Sequence, residues 1–147
     1  MKTIILASTL CLMTSLAQAQ ATPVGTWKSI DDATKKEKSL VRITESGGVL
    51  TGKIEKLLDP ATAADAVCDK CSDERKDKPI LGMTIISGVK KSASADDLWD
   101  GGQILDPNDG KIYKLRLSPV DGGKKLEVRG YIGLPLLGRT QTWIRVE

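Results

Sequence analysis

Polar and apolar residues alternate with a period of two along much of the chain after residue 23. In residues 39–45, Val41 and Ile43 point one way and Arg42 and Thr44 the other. In 49–57, Leu50 and Ile54 alternate with Lys53 and Glu55. In 111–117, Tyr113, Leu115 and Leu117 alternate with Lys114 and Arg116. This pattern predicts antiparallel strands covered by a core on one face only. Further strands are expected at 24–30, 80–89, 98–105, 126–132 and 140–146. Ser46-Gly47-Gly48, Asp106-Pro107-Asn108-Asp109-Gly110 and Asp121-Gly122-Gly123 read as the turns between them, and Gly101-Gly102 as a bulge or sharp bend. Residues 59–79 break the alternation. Asp59 is a helix-capping residue and Pro60 suits a first helical position, so about two helical turns are expected at 61–67. Connections this long are often functional or mobile, and this one is placed as a lid across a barrel mouth or as a pinned excursion.

Eight such strands close naturally into an up-and-down barrel, which removes exposed sheet edges. The expected fold is therefore all-β: one eight-stranded antiparallel barrel with one short helix at most. A two-sheet sandwich is the alternative. The ends of the chain are expected to meet, with Trp27 on the first strand near Trp143 and Arg145 on the last. An arginine can stack on an indole face and donate to carbonyls at a barrel end. The alternative is that the three tryptophans are plain core.

The first residues stand outside this pattern. Lys2, the apolar run 4–16 and Ala17-Gln18-Ala19 have the form of a secretory signal peptide (residues 1–19) cleaved after Ala19, leaving a domain at 20–147. The expected location is periplasmic or secreted. No apolar run reaches the roughly 20 residues of a spanning helix. The formal net charge is +3 and falls to +2 once Lys2 leaves. With no basic block, nucleic acid is not implied. Cys11 leaves with the leader, and Cys68 and Cys71 remain as a pair expected to form a disulfide in an oxidising compartment. A loop that small gains only about 2 kcal/mol in the chain-entropy model.

The chain has no histidine, which removes Ser-His and Cys-His catalysis and every His-containing metal site. Other motifs point to little chemistry. Gly47 to Lys53 has the G-x-x-x-x-G-K spacing, but Ile54 replaces the needed Ser or Thr and a strand follows instead of a helix. Asp106 to Gly110 resembles a calcium loop, yet Leu117 stands where the bidentate Glu belongs. C-D-K-C lacks further zinc ligands, has Ser72 where haem attachment needs His, and lies in a polar loop. Redox and metal roles for it stay open behind the disulfide. Asp31-Asp32 and Asp96-Asp97 are paired carboxylates in expected turns, where Asp is common. No metal or cofactor is implied. On the seventh strand Glu127, Arg129 and Tyr131 share one face and Val128 and Ile132 the other. The polar set is expected outside, and one register step would turn it inward.

The opening Gly25-Thr26-Trp27 resembles the G-x-W of lipocalins and their calycin relatives, whose tryptophan packs near an arginine from the end of the barrel. A fuller resemblance covers nearly all of 20–147. It is to a family of small secreted bacterial proteins known as a domain of unknown function. It rests on G-T-W-K from Gly25, C-D-K-C from Cys68, K-P-I-L-G from Lys78, G-G-Q-I-L-D-P from Gly101, the run from Gly110 to Tyr113, V-R-G-Y-I-G from Val128 and G-R-T-Q-T-W from Gly138. The resemblance implies a lipocalin-like barrel in an exported protein, with no established activity. The leading expectation is a binder of a small apolar or amphipathic ligand, with Trp99, Tyr113, Arg129, Tyr131 and Arg139 as candidate cavity or rim residues. The alternative is a filled barrel acting as an interaction or structural module of the cell envelope. Its partner surface would be the connection from Gly133 to Gly138, with Leu134, Leu136 and Leu137. An enzyme is the least favoured class, since it would depend on Asp, Glu, Tyr or Lys.

Overall fold

The computed structural model describes residues 21–147. The expected leader, including Cys11, lies outside the described residues. Eight strands follow one another: β1 (Gly25–Ile30), β2 (Glu37–Ser46), β3 (Val49–Leu57), β4 (Thr84–Lys91), β5 (Trp99–Leu105), β6 (Ile112–Val120), β7 (Lys125–Tyr131) and β8 (Arg139–Arg145). Each pairs antiparallel with the next, and β1 pairs with β8 through Trp27–Arg145 and Lys28–Ile144, so the sheet closes on itself. Gly47 and Gly48 form the tight β2–β3 turn at φ 57° and 79°, a conformation that costs glycine nothing. One apolar row per strand points inward. Trp27, Val41, Ile43, Leu50, Ile86, Val89, Leu115, Leu117 and Leu126 are essentially inaccessible to solvent. Each such aliphatic side chain contributes roughly 1.5–3 kcal/mol by leaving water.

The two ends of the barrel differ. The end carrying the β2–β3, β4–β5 and β6–β7 turns is closed by Arg145. Its guanidinium lies 4.1 Å from the Trp27 ring centroid. It donates to the carbonyls of Gly123 (2.6 Å), Val24 (2.8 Å) and Thr22 (2.8 Å). Trp27 Nε1 donates to the Pro23 carbonyl at 2.7 Å. The segment before β1 is thus tied across the closed end by one planar fork of donors.

The opposite end carries the β1–β2 turn, the β5–β6 turn, the β7–β8 connection and the long β3–β4 excursion. Two local expectations are corrected here. Residues 61–67 are not helical. Asp59 does cap a turn, accepting from Ala61 N through its side chain and from Thr62 N through its carbonyl. The chain then needs its backbone groups elsewhere. Cys68 N and Lys78 O, Asp77 N and Cys68 O, and Ile80 N and Ala66 O pair in a small hairpin bridged at Val67 and Pro79. For the same reason β4 starts at Thr84 rather than at residue 80: Ile80 closes that hairpin, and Gly82 turns the chain at φ 84°.

Cys68 and Cys71 are joined in a disulfide that is buried within the core cluster. The loop around it rests on the β5–β6 turn, where a Cβ at Gly110 would overlap the Lys70 carbonyl. Lys38 on β2 pairs with Asp59 at 2.5 Å and fixes the start of the excursion. No helix among the described residues is long and apolar enough to cross a membrane.

Candidate functional site: a cavity at the barrel mouth

Side chains fill the barrel at its closed end but not at its mouth, where a cavity of about 320 Å3 remains. Its walls are apolar: Ile54, Leu57, Ile85, Ile104, Leu105, Val128 and Trp143. β7 places Gly130 at an inward position in the lining. A Cβ there would already stand 3.4 Å from the Cβ of Tyr113. The excursion contributes Thr62 and Ile80 to the lining. It therefore forms part of the chamber wall, held there by the disulfide loop and the Lys38–Asp59 pair.

Polar groups gather at the rim. Arg139, on the inward row of β8, pairs at the rim with Asp32 in the β1–β2 turn, next to β8 in the barrel, with Nε–Oδ2 3.0 Å and Nη2–Oδ1 2.6 Å. The guanidinium holds the Asp32 carboxyl below its ordinary pKa. Asp31 is also held low, chiefly by the backbone N–H of Thr34, so it caps the turn. Tyr113 on β6 donates its hydroxyl to Asp109 Oδ2 at 2.6 Å. That carboxylate, aided by burial, pushes the phenol up to about 12, so it stays a donor through the neutral range. Burial pushes the Asp106 carboxyl up from its usual value. At the inner end, Ser29 and Ser39 bond each other at 2.8 Å, and Trp143 Nε1 donates to Gln141 Oε1 at 2.8 Å. The chamber thus has satisfied polar groups at its edges and apolar walls between them, which suits one small apolar or amphipathic molecule.

Of the five residues proposed from sequence, Tyr113, Tyr131 and Arg139 line this cavity. Trp99 does not. It begins β5 at the closed end, buried there with Lys91 over its ring at 5.8 Å. Arg129 does not either. It lies on the outer face of β7 and donates to the carbonyls of Pro135 and Leu136 and to Thr140 Oγ1. Asp32, Asp109, Gln141 and Trp143 were not among the five. Parity along β8 is the signal for two of them, because residues 139, 141, 143 and 145 share one face. Among the described residues no group of three or more acidic or sulfur ligands could hold a metal ion.

A family model described as "Uncharacterized protein conserved in bacteria (DUF2147)" matches residues 25–145. The chain belongs to that family. The match spans the whole barrel, from the first residue of β1 to the last of β8. No curated protein matches the sequence significantly. Among solved structures, the chain is similar to one described as "Protein HP1028 from the human pathogen Helicobacter pylori belongs to the lipocalin family". The two share 20% identity over 87% of this chain and 85% of the other, with a TM-score of 0.73. At that identity the likeness establishes a lipocalin-like fold.

Proposed function

We propose that this member of the DUF2147 family is exported to the periplasm or beyond and there binds one small apolar or amphipathic molecule in the mouth cavity. The observation that carries this reading is the unfilled upper half of the barrel. The 320 Å3 of space is bounded by Val128, Leu105, Ile54 and Trp143, with Gly130 in its lining. That volume sits at the small end of the roughly 300–1,000 Å3 of ordinary ligand pockets. It suits a molecule the size of a short acyl chain or a compact ring system. The fold supports the reading in a coarser way, since closed barrels of eight strands either fill with side chains or hold one small ligand. Tyr113 and Arg139, on the inward rows of β6 and β8, would meet the polar end of such a ligand at the rim.

The reading is tested by titrating the protein with an environment-sensitive naphthylamine fluorophore. Wild type should bind one equivalent and quench Trp143. Gly130→Leu, whose side chain enters the chamber at a position with ordinary backbone angles, should weaken binding by roughly tenfold or more. Equal binding by both proteins, or none by wild type with that probe and with medium-chain fatty acids, would overturn it.

A further inference from the structure

The connection between β7 and β8 turns four large apolar side chains toward solvent. Ile132, Leu134, Leu136 and Leu137 are 61%, 66%, 86% and 73% exposed. A flexible loop with these residues would be expected to fold them over the neighbouring cavity. Here it is held otherwise. Residues Pro135–Leu137 form a single 3-10 turn. The Arg129 guanidinium clamps that turn from outside, Nε to the Pro135 carbonyl at 2.9 Å and Nη2 to the Leu136 carbonyl at 3.3 Å. The close approach of Gly138 to the Gly130 carbonyl seats its far end. The leucines are thus presented, not frayed. Ile132 and Leu137 also line the cavity, so the exposed patch runs without a break into the chamber.

A second feature adjoins this patch. Arg116 on β6 stands directly opposite Arg129 on β7, with Lys114 one outward position nearer the mouth, opposite Tyr131. Like charges placed opposite each other across a sheet cost stability. None of the three cations forms an ion pair among the described residues. Arg116 lies 5.8 Å from the Tyr131 ring, and its Nε is buried without a hydrogen-bond partner. The carboxylate on the same face of β7, Glu127, is one outward position farther from the mouth and pairs with none of them. The rim carboxylates nearest this side are already engaged, Asp32 with Arg139 of β8 and Asp109 with the Tyr113 hydroxyl of β6. The apolar connection and the unpaired cations of β6 and β7 therefore form one continuous outer surface beside the mouth.

We infer that the β7–β8 side of the mouth docks on a lipid surface bearing anionic head groups. Leu134, Leu136 and Leu137 enter the acyl boundary, and Lys114, Arg116 and Arg129 meet the phosphates. Exposed apolar side chains beside basic ones are the combination that binds such interfaces, each part being weak alone. This goes beyond the ligand reading and does not depend on it.

The test is flotation of the full folded protein with two kinds of vesicle, phosphatidylethanolamine mixed with phosphatidylglycerol, and phosphatidylcholine alone. Wild type should float with the anionic vesicles, less well with the neutral ones, and progressively less as salt rises. Leu136→Asp changes a side chain that is 86% exposed, so the fold is kept, and it should reduce vesicle binding by roughly tenfold. Lys114→Gln with Arg116→Gln should abolish the preference for anionic lipid. Failure of wild type to float with either vesicle would overturn the inference and leave the leucines to a protein partner. Unchanged binding by Leu136→Asp, or no difference between the vesicles, would overturn it too. The fluorophore titration separates the two proposals. Leu136→Asp should titrate like wild type, and vesicle binding without fluorophore binding would sink the ligand reading alone.

Discussion

Tyr113 shows how a single side chain acquires its role from one tertiary neighbour. On β6 its parity puts it on the inward row with Leu115 and Leu117, which the alternation made plain. Its hydroxyl reaches Asp109 because the β5–β6 turn folds back over the strand end. The folded phenol has a pKa above its unfolded value of 10.0. Its bond to Asp109 therefore stabilises the fold fully below about pH 10, and that contribution is lost as pH rises through about 12. The chain has two tyrosines, so Tyr131→Phe leaves Tyr113 as the sole phenol. Absorbance titration of that variant should show it ionising only near pH 12, and adding Asp109→Asn should bring it down toward 10. The Asp31-Asp32 pair was harder to read. In the sequence both are turn residues, and Asp31 is no more than that. Asp32 pairs with Arg139, 107 positions away. No local pattern marks such a partner, because barrel closure alone brings β1 and β8 together.

At the scale of elements, β8 concentrates the consequences of its parity. Arg139 guards the mouth, Gln141 and Trp143 line the chamber, and Arg145 closes the other end. The conjunction of Gly25-Thr26-Trp27 with a terminal arginine was visible in the sequence, because a cation and an indole at two chain ends have an obvious way to meet. Arg145→Ala should lower unfolding free energy by on the order of 3 kcal/mol in urea melts, given a stacked ring and three carbonyls left without a charged donor. Arg145→Lys should recover little, since an ammonium cannot span three carbonyls in one plane. A loss below about 0.5 kcal/mol for the alanine variant would mean that the closed end holds without its fork. The excursion was read less well. Asp59-Pro60 is a sound capping signal, and it does start a turn. A two-turn helix needs its own packing to persist, and here the backbone of residues 66–68 pairs with 78–80 instead. Propensity gave way to a hairpin that the buried disulfide and the β5–β6 turn hold in place.

For the whole molecule, eight strands in meander order follow from period-two alternation and glycine turns, and their number and order were legible, though β4 begins at Thr84 and β6 runs on to Val120. The empty chamber was not. It depends on which inward residues are small and on how far the excursion covers the opening. Gly130 reads in a sequence as a weak spot in a strand, not as part of a cavity wall. Trp99 illustrates the same gap: a tryptophan on a barrel strand is a fair candidate for a ligand wall, but the direction of β5 puts it at the filled end. The division into a packed closed end and an open apolar mouth is what makes a ligand the central expectation. Native mass spectrometry of the protein purified without denaturation from a bacterial periplasm tests this most directly. One reproducible extra mass should accompany the folded protein, disappear on denaturation, and be absent from Gly130→Leu. A clean unliganded mass that persists after incubation with lipid extract would contradict the account.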